Sequence, residues 1–181
     1  MSKRTFIVLT ILLVSLIIVF MNIKNRSQTE EMSYSDSSVI PLTTIKECGI
    51  ESIRISNENG VFLFANQNGK WHLKQPEGVN ADEGIISEIA SDIEYAYAFS
   101  TADENPDNLK QFGFGEGDKP AEVKIIFKDG EVEEFYLGND VPSKQGAYVK
   151  RKKEPSVYIT FSKLVNSIRI SKEDLVSKPV N

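Results

Sequence analysis

Hydrophobic positions follow two different regimes along this chain. The first is one unbroken run. Thr5 to Ile23 reads TFIVLTILLVSLIIVFMNI, with no charge, no Pro and no Gly. As a helix rising ~1.5 Å per residue it would be about 28 Å long, close to the hydrocarbon thickness of a bilayer. The hydroxyls of Thr5, Thr10 and Ser15 can bond back to their own helix, and Asn22 lies at its end. A cleaved secretory signal is the competing reading. It would have a shorter apolar core and a small-x-small cleavage site, whereas this run ends in Phe20-Met21-Asn22-Ile23-Lys24. The pattern therefore predicts an uncleaved single-pass anchor over residues 1–24.

The second regime is short alternation broken by turns. Asn25 to Ser38 is polar and Ser-rich without apolar periodicity, so residues 25–44 read as a tether. The fold is expected to begin near Ile45. Ile53 and Ile55 alternate with Arg54 and Ser56, while Ile50 is one step out of phase, which predicts a strand with a bulge. Val61–Ala65 and Lys70–Lys74 are the next two strands. Asn-Gly pairs at 59–60 and 68–69 separate the three, a strong hairpin signal because both turn residues tolerate positive φ. Trp71 and Leu73 share one face, and Pro76 ends the meander.

Helical spacing follows. Ile85, Ile86, Ile89, Ile93 and Tyr97 form one stripe, with Asn80 and Glu83 placed as a capping box and Asp82 as the other candidate cap. Each Ile buried against the meander contributes roughly 1.5–3 kcal/mol. Thr101–Asn105 reads as a loop, and Pro106–Gln111 as one short helical turn capped by Asn105. Val123–Phe127, Val132–Leu137, Ala147–Lys150 and Val157–Thr160 are strands joined by turns. Phe161–Ile168 is a short helix, and residues 176–181 are a loose tail. The expected class is α+β: about seven strands, mainly antiparallel, with one main helix in residues 45–175, plus the N-terminal transmembrane helix.

Charge narrows the partners. Lys3 and Arg4 precede the apolar run, so 19 basic and all 26 acidic residues follow it, a formal charge of −7. That argues against nucleic acid and against broad docking on anionic lipid. Lys3 and Arg4 before the run nearly balance Lys24 and Arg26 after it. A first helix this close to the N-terminus commonly acts as a signal anchor, which gives the expected orientation: N-terminus inside, domain outside the cytoplasm, residues 5–23 in the membrane.

Groups that carry chemistry are scarce. His72 is the single His and Cys48 the single Cys, so zinc ligation and a Cys/His nucleophile pair both lack ligands or partners at informative spacing. Asp129, Glu131, Glu133 and Glu134 make an acidic hairpin without calcium-loop spacing, and read as a solvated turn. Phe112-Gly113-Phe114-Gly115-Glu116-Gly117 lacks the Lys-Ser/Thr of a phosphate loop and reads as a turn whose two Phe side chains plug the core. Lys150, Arg151, Lys152 and Lys153 form a basic cluster at a hairpin tip, the candidate interaction surface for an acidic partner or the membrane. No catalytic residue, metal or cofactor is implied.

The order of features resembles the bacterial domain-of-unknown-function family 4340. The resemblance rests on Gly69-Lys70-Trp71-His72-Leu73 leading to Pro76, the Asp82 helix, Leu109 and Phe112-Gly113-Phe114. It continues through Val123–Phe127, Asp129-Gly130, Leu137-Gly138, Ala147-Tyr148-Val149 and Val157-Tyr158, and spans about Ile45 to Leu175. It implies an envelope protein with an N-terminal membrane segment and, as for some members, an accessory role beside an ABC transporter or envelope complex; many members carry more than one copy, whereas this chain holds one. A small-ligand binding domain and an envelope hydrolase using buried carboxylates are the alternatives.

Overall fold

A computed structural model describes residues 39–177. The apolar run Thr5–Ile23, the polar stretch to Ser38 and residues 178–181 lie outside the described residues. Among the described residues no helix is long and apolar enough to cross a membrane.

Nine strands form one sheet. In chain order they are β1 Ile40–Pro41, β2 Ile50–Asn57, β3 Gly60–Gln67, β4 Lys70–Gln75, β5 Tyr97–Asp103, β6 Ala121–Phe127, β7 Val132–Asp140, β8 Gly146–Arg151 and β9 Val157–Phe161. Two α-helices accompany them, α1 Glu83–Glu94 and α2 Ser162–Ile168. The spatial order is β1-β5-β9-β8-β7-β6-β2-β3-β4, and every neighbouring pair is antiparallel. The class is α+β as expected.

Alternation decides which face is buried. Ile53 lies opposite both Phe64 and Ile125, Ile55 opposite both Phe62 and Val123, and Val123 opposite Phe135. All of these are fully buried. Direct partners in an antiparallel sheet share a face, so this one band forms the core. The helices cover it with Ile86, Ile89, Ala90 and Ile93 of α1 and Leu164, Val165 and Ile168 of α2. The out-of-phase Ile50 is accounted for by a register shift between Ile50 and Ser52 against β6. The β3–β4 turn is a two-residue hairpin with Asn68 at φ 55° and Gly69 at φ 84°, the left-handed pair such a turn requires.

The sheet has two strands more than the seven expected, β1 and β5. Neither belongs to a hairpin with its chain neighbour. Each is held by partners distant in sequence, β5 between β1 and β9, and local periodicity carries no signal of that. The helical stripe also does not reach Tyr97. α1 ends at Glu94, and from there the burial period becomes two: Ala96 and Ala98 are buried while Tyr95 and Tyr97 are exposed. Thr101–Asp103, expected in a loop, continue β5. The N-cap of α1 is Asp82, whose carboxylate accepts from the Gly84 and Ile85 amides at 2.7 and 3.2 Å. The short turn after β5 is a 3-10 helix, Leu109–Phe112, capped by Asn108 rather than Asn105.

The fold also starts before Ile45. Leu42 and Thr43 are buried; the Leu42 amide donates to the Ala96 carbonyl at 2.8 Å, and the Thr43 hydroxyl to the Glu94 carbonyl at 2.6 Å. Of the two Phe residues expected to plug the core, Phe112 is buried edge-on against Tyr148 with ring centres 4.9 Å apart. Phe114 is half-buried beside Gly138.

Candidate functional site

The basic run ends β8 and opens the turn to β9. Successive side chains of a strand alternate faces, so Lys150 and Arg151 at the end of β8 point to opposite sides. Lys150 does not line the cleft formed by the others: its ammonium bonds the Glu154 and Arg151 carbonyls, and burial pushes its pKa down against the pull of Glu154. Arg151, Lys152 and Lys153 line a cleft of about 580 Å³ with Leu42, Thr44, Val132, Glu133, Glu134 and Glu154.

Three pieces of chain build this cleft. The first is the segment after β1. The Thr44 amide donates to Glu133 Oε2 at 2.9 Å, which lays the segment across the start of β7. Lys46 then pairs with Asp129 at 3.1 Å and with Glu131, and its ammonium stands 4.5 Å over the Phe127 ring. These partners raise the Lys46 pKa, the Glu131 hydrogen bond most. The acidic hairpin is therefore clamped by a cation rather than simply solvated.

The second piece is β7, which contributes Glu134. Its side chain is only 11% exposed and lies between two ammonium groups, Lys152 and, at 3.6 Å, Lys124. The Lys152 hydrogen bond is the main cause that holds the Glu134 carboxyl below the usual range, with burial opposing it. A carboxylate this enclosed stays charged because it is paired.

The third piece is the β8–β9 hairpin. Arg151 Nε and Nη2 both reach Glu154 Oε2 at 2.9 Å, and the Tyr158 hydroxyl donates to the same oxygen at 2.8 Å. Arg151 Nη1 donates to the Pro41 carbonyl at 3.1 Å, and the guanidinium stands 5.4 Å from the Tyr158 ring centre. Lys153 is exposed and makes no ion pair among the described residues.

The lining thus holds three cations and three carboxylates around an apolar floor of Leu42 and Val132. Most of the charge is neutralised within the site. Among the described residues, the carboxylates with displaced pKa values, Asp82, Asp129 and Glu134, all move down. Among the described residues, no three His, Cys, Asp or Glu side chains converge to hold a metal ion.

Sequence reasoning placed three of the lining residues, Arg151, Lys152 and Lys153. It missed Leu42 and Thr44, which it assigned to the tether. The apolar run Val39-Ile40-Pro41-Leu42 was the available signal. His72, the single His, is half-buried at the sheet's far edge with Nδ1 3.7 Å from Glu83 Oε1. Cys48 is half-buried against the core.

A family model described as domain of unknown function (DUF4340) matches residues 71–180, more than half of the chain. The chain belongs to the DUF4340 family. Comparisons with curated proteins and with solved structures return no match. The DUF4340 match begins at Trp71 in β4, so it takes in both helices and β5 to β9, while β1 to β3 precede it. Both the hairpin and the β7 walls of the cleft fall within the DUF4340 stretch; the Leu42–Thr44 wall does not.

Proposed function

We propose that this DUF4340 protein is a membrane-tethered, extracytoplasmic interaction module, a non-catalytic accessory to an ABC transporter or another envelope complex. One observation carries the reading. The strand that follows the tether, β1, is bonded through Pro41 to the basic hairpin, and the segment just beyond it walls the cleft. The cleft is thus built beside β1, the strand at which the polypeptide enters the domain after the predicted anchor, residues 5–23.

The composition of the cleft supports binding over turnover. Its most enclosed carboxylate, Glu134, is paired with Lys152 and Lys124 and held low. Small-ligand binding is the second reading. It is favoured by the cleft volume, which falls within the range of about 300–1,000 Å³ typical of ligand sites.

Two experiments test the proposal. A photo-reactive residue at Lys153, activated in native membranes and followed by mass spectrometry, should capture one recurrent envelope protein, and the same residue at Glu58 should not. A chain that stays monomeric and partner-free overturns the accessory role. Fusions after Asn181 should activate a phosphatase and leave a cytoplasmic reporter silent; the reverse pattern overturns the extracytoplasmic placement.

A further inference from the structure

Among the described residues the sheet ends on β4, which pairs with β3 on one side only. The two-residue turn Asn68-Gly69 closes a hydrogen-bonded pair between Gln67 and Lys70. Bonding then alternates along an antiparallel ladder, so Lys70 and His72 exchange hydrogen bonds with β3 while Trp71 and Leu73 turn their N–H and C=O groups outward. Among the described residues no main-chain or side-chain group bonds them there.

The opposite edge is blunted. β1 covers Tyr97 and Ala98, and β5 breaks register with β9 twice, between Ala98 and Ser100 and between Thr101 and Asp103. Such irregularities twist an edge away from further pairing. β4 keeps unbroken register from Lys70 to Leu73, and its irregularity comes only beyond that.

Charge selects the occupant. Lys70 and Lys74 are exposed and make no ion pair among the described residues, and His72 between them has only Glu83 nearby. A second copy pairing antiparallel through Trp71 and Leu73 would set Lys70 against Lys74. Like charges directly opposite are destabilising, so that pairing of the edge with itself is disfavoured. An extended segment carrying carboxylates meets the same lysines favourably.

We propose that the β4 edge receives an extended acidic strand of another protein by β-augmentation. The Trp71 and Leu73 main chain supplies the hydrogen bonds, and Lys70 and Lys74 select acidic side chains. This surface is separate from the cleft, so its test stands or falls independently of capture at Lys153.

Trp71 is the single Trp, so its fluorescence reports on the edge directly. Full-length protein in detergent is titrated with a blocked ten-residue peptide of alternating Glu and Thr. The expected result is a saturable Trp71 spectral shift, with exchange of the outward Trp71 and Leu73 amides slowed at least about tenfold at saturation. A Lys–Thr peptide should bind at least about tenfold more weakly, as should the Glu–Thr peptide to the Lys70→Glu, Lys74→Glu double variant. That variant is first shown to keep the circular dichroism spectrum and melting temperature of the parent. No spectral shift, equal binding of the Lys–Thr peptide, or protection over residues 97–103 instead would overturn the proposal. A dimer with the Trp71 and Leu73 amides already protected before peptide is added would also overturn it, in favour of a second copy.

Discussion

Arg151 and Pro41, 110 residues apart, are joined by a hydrogen bond from the Arg151 guanidinium to the Pro41 carbonyl at 3.1 Å. The contact fastens the tip of β8 to the strand by which the chain enters the sheet. Arg151 also holds Glu154, so one side chain organises two walls of the cleft. Arg151→Ala is expected to cost about 1–3 kcal/mol in chemical denaturation, in the range for hydrogen bonds made by a charged donor. Arg151→Lys should recover only part of that, because an ammonium cannot reproduce the forked geometry. Faster amide exchange over residues 40–44 in both variants would locate the loss, and unchanged exchange there would count against the clamp.

Glu134 supplies a pH dependence. Its carboxyl is held low in the folded chain, so it favours the folded state above the pKa it has when unfolded. That contribution disappears as pH falls through the folded value. Asp82, held low chiefly by the Ser177 hydroxyl, and Asp129, held low chiefly by the Glu131 amide, act in the same direction. Stability should fall below about pH 4.5. In urea denaturation from pH 3 to 7, the gap between the parent and Glu134→Gln should be widest near neutrality and narrow on the acid side. A gap independent of pH would remove Glu134 from this role.

Asp92 joins the helices. Its carboxylate takes the Lys163 ammonium at 2.6 Å and the buried Ser167 hydroxyl at 2.7 Å, both from α2. Lys163 is 70% exposed, so its share is small. Lys163→Ala should cost less than about 1 kcal/mol, and Asp92→Ala about 1–3 kcal/mol because it leaves the Ser167 hydroxyl poorly bonded. Equal losses in the two variants, measured by thermal denaturation, would contradict that division.

Two glycines separate packing from conformation. A Cβ on Gly146 would fall 1.8 Å from the Thr160 carbonyl oxygen, main chain of the neighbouring strand that cannot yield cheaply. Gly146→Ala should therefore cost about 2–4 kcal/mol, among the larger single-residue effects. Gly130 stands at φ +85° with open space around it, so Gly130→Ala meets only backbone strain of about 1–2 kcal/mol. Denaturation midpoints in the reverse order would show that β8 and β9 can separate locally.

The C-terminal segment is part of the core. Leu175 is fully buried, and its carbonyl accepts from the Asp82 amide at 2.8 Å, at the start of α1. Leu175→Ala should cost about 2–5 kcal/mol, as for other large core truncations. A loss under about 0.5 kcal/mol, the scale of a surface change, would show that the segment contributes little.

Several elements were legible locally because their cause is local. Asn-Gly turns fold the β2–β4 meander whatever lies beyond it, the Ile spacing makes α1 amphipathic, and alternation names Ile53, Ile55, Val123 and Ile125 as core. The family was legible from the order of short motifs, and the match over residues 71–180 bears it out. β1 and β5 were not legible. A two-residue strand has no period, and Tyr97 continues a helical stripe as plausibly as it begins a strand. Ala96 and Ala98 decide between the two only once Leu42 and β9 are there to cover them.

The cleft divides the same way. The basic run Lys150–Lys153 is visible in the sequence, but its separation is not. Lys150 bonds main-chain carbonyls outside the lining, Glu134 and Glu154 engage Lys152 and Arg151, and Lys153 is left exposed. By itself the sequence determined the apolar run, the α+β class, the turns and the family, all consequences of neighbouring residues. Tertiary structure decided which charges meet, where the sheet ends and what walls the cleft, because those follow from contacts between residues as far apart as Pro41 and Arg151.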